Sequence, residues 1–470
     1  MKSYLRHVIC AVLCASSSIA CMAIPVSVDE NVEFISAVCR TAGFREYTND
    51  VNEAYVHRVD SLMTPFAGHD AIKYLGKVRA EQGVSYDAIA DLAIHTEIAD
   101  GHLRLKDGAD LSKVDRRWLE GQDRELVPLL DDLYQKSGFT RLYKSNTDYY
   151  GHVIDNMNAL MEKCDLKWLT DFYGKEPAGS RVVVSLLNVG NYGATQKLAG
   201  KSDESVIVIG CNRLDEKGYP IFDGRQSLIV HESSHPVCNP LVERNMKLLN
   251  SNIRLAAELM HEELRRGAYA GPFTLMSESM VRSMELQYGL AHGIDETDTD
   301  RGMKNQMRRG FMFMPEIREA LDVYKTNRER YPVIDSIMPV VADKINKVDV
   351  AERYKEIVNS SPKILGCSIA ENATDVAPSD SLEVRFFFDQ PIRKGSFGMA
   401  YYDNNEDIIP KLAEIPQRIR LSDDGMVLSV FIVAEPGKEY GFTMNGAFYR
   451  GLKGYSGHGT AKVHFFTKPN

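Results

Sequence analysis

Residues 231–235 read His-Glu-Ser-Ser-His, and two histidines four apart constrain this chain more than any other feature in it. On a helix, positions i and i+4 share one face a single turn apart, so both imidazoles can reach one cation. Ser227-Leu228-Ile229-Val230 just before them is apolar and suits the entry of a buried helix. Pro236 follows at once. Proline removes a backbone donor and disfavours helix in the residue before it, so the helix is expected to end or kink at His235. Glu232 lies beside the histidines and points away enough to stay off a cation while holding a water next to it. The alternative is a surface or core helix that happens to carry two histidines.

Imidazole pairs of this kind suit zinc, which takes a third protein ligand and, in catalytic sites, keeps one position open. Zinc lowers the pKa of its water to about 7. The expected cofactor is therefore Zn2+, with Glu232 as general base. No glycine and third histidine follow at the spacing that would extend the motif, so the third ligand comes from elsewhere. Glu278, in Ser277-Glu278-Ser279-Met280-Val281-Arg282, is the leading candidate, on an expected helix that a hairpin could bring back. Glu285, Glu262, Glu263 and His261 are rivals. Arg282, four after Glu278, is either an ordinary helical ion pair or a group that orients the ligand carboxylate. Tyr269 and Tyr288 are candidate donors to a tetrahedral oxyanion. His458 and His464 lie too far along the chain for an expected role at the metal.

The chain has 470 residues, which suggests two or three domains. It is 44% hydrophobic and 26% charged, a globular balance. A formal charge of −9 argues against nucleic acid or anionic lipid as a partner. No interior apolar run is long enough to span a bilayer. Lys2, Arg6 and the apolar residues 8–21, followed by Met22-Ala23-Ile24-Pro25, have the layout of a signal peptide, cut after Ala23 or Ala20. An acylated Cys21 is the competitor, but Ser18 stands where that signal wants an aliphatic residue. An uncleaved first helix is a third option. Cys39, Cys164, Cys211, Cys238 and Cys367 would remain, an odd and scattered set that reads as mostly buried thiols with at most one disulfide.

Residues 31–174 read as mostly helical. Val32, Ile35, Val38 and Cys39 share one face, as do Tyr55, Val56, Val59, Leu62 and Met63. Ser85 is placed to cap a helix carrying Ile89, Leu92 and Ala93, and Asp107-Gly108 and Ser137-Gly138 break the pattern. Residues 181–187 and 205–209 are β-branched and read as strands. Between them, residues 188–193 are turn-prone and would rim a cleft in which an exposed strand edge could pair with a peptide. Helices are expected at about 240–268, 273–290, 314–330 and 349–358. Beyond Ser360-Ser361-Pro362 the chain turns strand-like, with runs at 382–388, 426–433 and 462–466, a sandwich pattern. Asn372-Ala373-Thr374 matches a glycosylation sequon, but a chance surface turn is the plainer reading.

The HESSH motif with a downstream glutamate on a helix resembles the gluzincin branch of the zincin metallopeptidases. More closely, the chain resembles the secreted zincin-like family called domain of unknown function 4932, through residues 28–34, 84–88, 231–240 and 278–282, over roughly residues 28–350. That resemblance implies His231 and His235 as ligands, Glu232 as base and Glu278 as third ligand. Residues 361–470 resemble a bacterial Ig-like sandwich, a module that usually spaces or binds.

The expectation is an α+β chain: a signal peptide at 1–23, a mostly helical zincin-like domain with a small sheet at 24–360 (helical to 175, sheet and active-site helices from 176), and an all-β Ig-like sandwich at 361–470. It would be a secreted, periplasmic or cell-surface zinc peptidase acting on a peptide or protein substrate. A non-catalytic zincin-like scaffold and a zinc amidase acting on cell-wall or other amides are the alternatives.

Overall fold

A computed structural model describes residues 24–175, 180–266, 269, 271–395, 398–403, 405 and 407–469. The leader read at residues 1–23, with its Cys21 alternative, lies outside them. A mostly helical N-terminal region with small sheets is followed by a C-terminal region of β-sheets, so the chain is α+β.

Apolar residues at helical spacing produce the first helices as expected. Glu30–Thr41 buries Val32, Ile35, Val38 and Cys39, and Glu53–Met63 buries Tyr55, Val56, Val59 and Met63. The helix Asp87–Ile94 forms around Ile89, Leu92 and Ala93, but its N-cap is Tyr86, not Ser85. The Ser85 hydroxyl donates instead to the Gly83 carbonyl at 3.0 Å.

The strands are β1 (Val26–Ser27), the hairpin pair β2 (Thr96–Ala99) and β3 (His102–Leu105), and then β4 (Ser180–Ser185), β5 (Asn191–Gln196) and β6 (Glu204–Gly210). One sheet has the order β1-β4-β6-β5. β1, β4 and β6 run parallel, and β5 closes the edge antiparallel to β6. Val182, Val183, Val184, Val206 and Ile207 are fully buried in it. The edge strand departs from the sequence reading. Half of the turn-prone stretch is strand: Asn191, Tyr192 and Gly193 pair with Ile209, Val208 and Ile207. Pairing to a buried strand outweighs local turn preference.

The motif helix, Gln226–Asn245, also departs from expectation. Of the two outcomes expected at His235, an end or a kink, the end does not occur: the helix runs through both Pro236 and Pro240. An interior proline costs about 3 kcal/mol. Against this, Ile229, Val230, Val237, Leu241 and Val242 are all buried, and each such side chain contributes roughly 1.5–3 kcal/mol. Burial therefore wins. The helix lies at a seam: Ile229 belongs to the core built on residues 28–229, and Val230, Val237 and Leu241 to the core of the later helices. The long helix expected at 240–268 is broken into the end of the motif helix, Ser251–Leu259 and His261–Arg266. Next comes the carboxylate helix, Gly271–Ala291, packed along the motif helix.

The last helix ends at Asn359. Strands β7 (Ile364–Cys367), β8 (Ala373–Val376), β9 (Ser379–Phe388), β10 (Ala400–Tyr401), β11 (Ile419–Leu421), β12 (Val427–Ala434), β13 (Glu439–Asn445) and β14 (Thr460–Thr467) follow. They form two sheets, β11-β12-β9-β7 and β10-β13-β14-β8. Period-two alternation turns Leu428, Val430 and Ile432 inward, where they share a core with Phe386, Phe442 and Phe465. This region docks on the helices through Tyr455, which is buried in the later helical core, and through Arg450, which donates to Asn305 at 2.5 Å. The five cysteines are all free, so the disulfide that the sequence allowed does not form among them. Burial pushes the Cys238 thiol up to about 12, which makes it inert.

Candidate metal centre

The two histidines converge. His231 Nε2 and His235 Nε2 are 3.2 Å apart. Behind them, His231 Nδ1 lies 3.0 Å from Glu285 Oε2, and His235 Nδ1 lies 3.2 Å from Asn239 Oδ1. Both partners can accept a hydrogen bond, so an Nδ1–H donated to each leaves the Nε2 atoms as the ligand atoms that face a shared point.

Glu278 reaches in from the carboxylate helix. Its Oε2 is 3.8 Å from His231 Nε2 and its Oε1 is 3.6 Å from His235 Nε2. Metal–ligand bonds of 2.0–2.2 Å in tetrahedral array give ligand–ligand edges of about 3.3–3.6 Å, so this donor set fits a zinc-sized ion. His231, Glu232 and His235 also bring ligand atoms within 4.8 Å of one another, a group able to hold a metal ion. Glu232 Oε2 stands 4.0 Å from His235 Nε2.

The rivals fall elsewhere. Glu285 is turned to the far nitrogen of His231. His261 and Glu262 are exposed and pair with each other at 3.6 Å, and Glu263 pairs with Arg308 at 3.0 Å. Tyr288 accepts from the Asp165 backbone N–H at 2.8 Å and stacks on His292. Tyr269 is different: its hydroxyl accepts from Arg282 Nη2 at 2.8 Å, while the same nitrogen donates to Glu278 Oε2 at 2.9 Å. Arg282 is 6% exposed and lies 4.5 Å from the Phe311 ring centroid. Glu278, Arg282 and Glu285 follow at helical spacing, so one face of one helix carries all three.

Strand β5 closes the other side. A Cβ on Gly193 would come within 2.7 Å of the Glu232 carbonyl and 3.0 Å of Glu232 Oε2. Only glycine permits this approach, and its backbone N–H bonds to the Glu232 carboxylate. The carbonyl that Pro236 leaves without a helical donor thus faces the edge strand. Burial pushes the Glu232 carboxyl above the usual carboxylate range, with His235 and His231 pulling it back. For His231, burial acts to lower the pKa, but Glu285, Glu232 and Glu278 together raise it.

Sequence reasoning set residues 188–193 at the rim of a cleft without giving Gly193 its approach to Glu232, and it did not find Asn239 or the Glu285 contact. Asn239, four after His235, was findable by the same spacing that pairs the histidines. Nothing local marks Gly193, because its role depends on a strand-to-helix approach.

The model of a family described as Domain of unknown function (DUF4932) matches residues 12–343. The chain belongs to this family. No curated protein matches it. Two solved structures of the surface layer protein SbsC are similar at low level. That of domains 1-6 is 14% identical over 52% of this chain and 33% of that one, with a TM-score of 0.17. That of rSbsC(31-844) is 12% identical over 85% of this chain and 46% of that one, also at 0.17. The chain thus spans less than half the length of either, and such a TM-score does not describe a common fold. Within this DUF4932 chain, no helix among the described residues is long and apolar enough to cross a membrane.

Proposed function

We propose that this DUF4932 protein is an exported zinc-dependent peptidase. The observation that carries the reading is the convergence of His231 Nε2, His235 Nε2 and the Glu278 carboxylate at 3.2–3.8 Å. His231, His235 and Glu278 would hold the ion. When bound, zinc supplies Lewis acidity and brings the pKa of a water near 7.

The chain's own groups do the rest. Glu232, raised by burial, takes the proton of the attacking water and passes it to the leaving amine. The C–N bond breaks, hydroxyl goes to the carbonyl carbon and a proton to nitrogen. The Gly193 N–H and the β5 backbone fix the Glu232 carboxylate, and Glu285 and Asn239 fix the imidazole tautomers. The outer edge of β5 can align an extended peptide by strand pairing. Tyr269, held by Arg282, is the tyrosine near enough to Glu278 to meet an oxyanion. The charged leader followed by an apolar run supports export.

The test is a broad peptide library incubated with the exported protein, with and without chelator, beside elemental analysis of the metal. Cleavage that chelator abolishes and Glu232→Gln abolishes without metal loss supports the reading. One ion per chain in His231→Ala, or full turnover in Glu232→Gln, overturns it.

A further inference from the structure

A cavity of about 390 Å³ opens beside the motif site, between the later helices and the 445–460 loop of the β region. Glu263, Tyr269, Arg308, Arg309 and His458 line it. Its chemistry is cationic. Arg308 is 8% exposed, and its Nη1 donates to Glu263 Oε1 at 3.0 Å. Its Nε is buried with no hydrogen-bond partner. Arg309 is exposed beside it, with Nη1 donating to Gln306 Oε1 at 3.2 Å. Burial, then Arg308, holds His458 below its usual range. Among the lining side chains, two guanidinium groups stand against one carboxylate.

The cavity is coupled to the metal centre. Tyr269 lines it and shares Arg282 with Glu278. Arg309 lies within electrostatic reach of Glu278 and Glu285. A ligand there would sit two side chains from the carboxylate at the site.

We infer that this cavity seats a carboxylate of the peptide being cleaved, so that the enzyme selects substrates bearing one close to the scissile bond. This rests on the peptidase reading above. The carboxylate is either the free chain end or an aspartate or glutamate side chain; both offer the same planar pair of oxygens to the guanidinium fork. The β region would then be part of substrate selection, since its loop forms one wall.

The experiment uses the full chain with metal chelated, so that acids cannot bind the ion instead. Three probes are compared by ligand-observed saturation-transfer NMR: N-acetylalanine, the α-amide of N-acetylaspartate, and N-acetylalanine amide. One or both acids should bind and the amide should not. Arg309→Gln should weaken acid binding by roughly 10-fold or more, Arg309→Lys should restore part of it, and 0.5 M salt should suppress it. Binding of the main-chain acid alone identifies the free chain end as the ligand, and of the side-chain acid alone an internal acidic residue. Equal signals from all three probes, no binding of either acid, or binding unchanged in Arg309→Gln at an unaltered unfolding midpoint, overturns the proposal. Since the assay needs neither metal nor turnover, a failed peptidase reading would leave acid binding intact, and a failed acid pocket would leave chelator-sensitive cleavage intact.

Discussion

Glu33 and Glu278 are both buried glutamates on helices, yet the regions around them differ in kind. Glu33 accepts from the Tyr55 hydroxyl at 2.7 Å and from the Leu186 backbone N–H at 2.8 Å. It ties the first helix to the residue that follows β4, and every group it meets is satisfied within the fold. At the candidate metal centre, the Nε2 atoms of two imidazoles stand 3.2 Å apart and a carboxylate closes on the same point. Burial satisfied within the fold marks structure, and metal-ligating atoms brought to one point mark a candidate site. The substitutions below break or sharpen that contrast.

The largest effect is expected from Glu232→Gln. It should lower kcat by about 10²–10⁴-fold, measured on a library-derived peptide, with metal content and unfolding midpoint unchanged. Next is Glu33→Gln, which should leave kcat alone and change stability with pH. Burial, partly offset by Tyr55 and the Leu186 N–H, raises the Glu33 carboxyl from 4.5 to about 7. Below pH 4.5 both folded and unfolded chains hold its proton. Between 4.5 and about 7 only the folded chain does, so stability falls as pH rises, by about 3 kcal/mol in all. The variant should lose that slope, read as the difference between the two proteins in urea unfolding across pH 4.5–7.

Smaller again is Glu285→Gln. It leaves the donor set in place but withdraws the charge behind His231, and it should weaken metal binding by about 10–100-fold in a competition titration with a chelating dye. The smallest is Tyr173→Phe. The Tyr173 hydroxyl donates to Ser234 Oγ at 2.7 Å inside the motif helix. Its loss should cost about 1 kcal/mol in urea unfolding with metal affinity intact. A larger fall in metal affinity than in stability would show that the serine positions the histidines.

The imidazole pair was legible because i, i+4 spacing fixes geometry wherever a helix forms. The placement of Glu278 needed the chain to return through Ser251–Leu259 and His261–Arg266, where sequence could suggest only a hairpin and packing set the path. Pro236 misled because local backbone preference was weighed without the burial of Val230, Val237 and Leu241 around it. Strand β5 was hidden by asparagine and glycine, residues that signal turns when read alone. Arg282 was legible as a partner of Glu278, but the choice of Tyr269 over Tyr288 was not. Both tyrosines are partly apolar and partly polar, and only the chain path decides which hydroxyl meets the arginine.

Tyr455 has a consequence for how the chain can be divided. Its ring is set among the later helices although it belongs to the C-terminal loop system. Cutting the chain near residue 360 would not shed a passive appendage. It would uncork an oily socket among the later helices, and a shortened protein should clump in solution where the whole one stays dispersed.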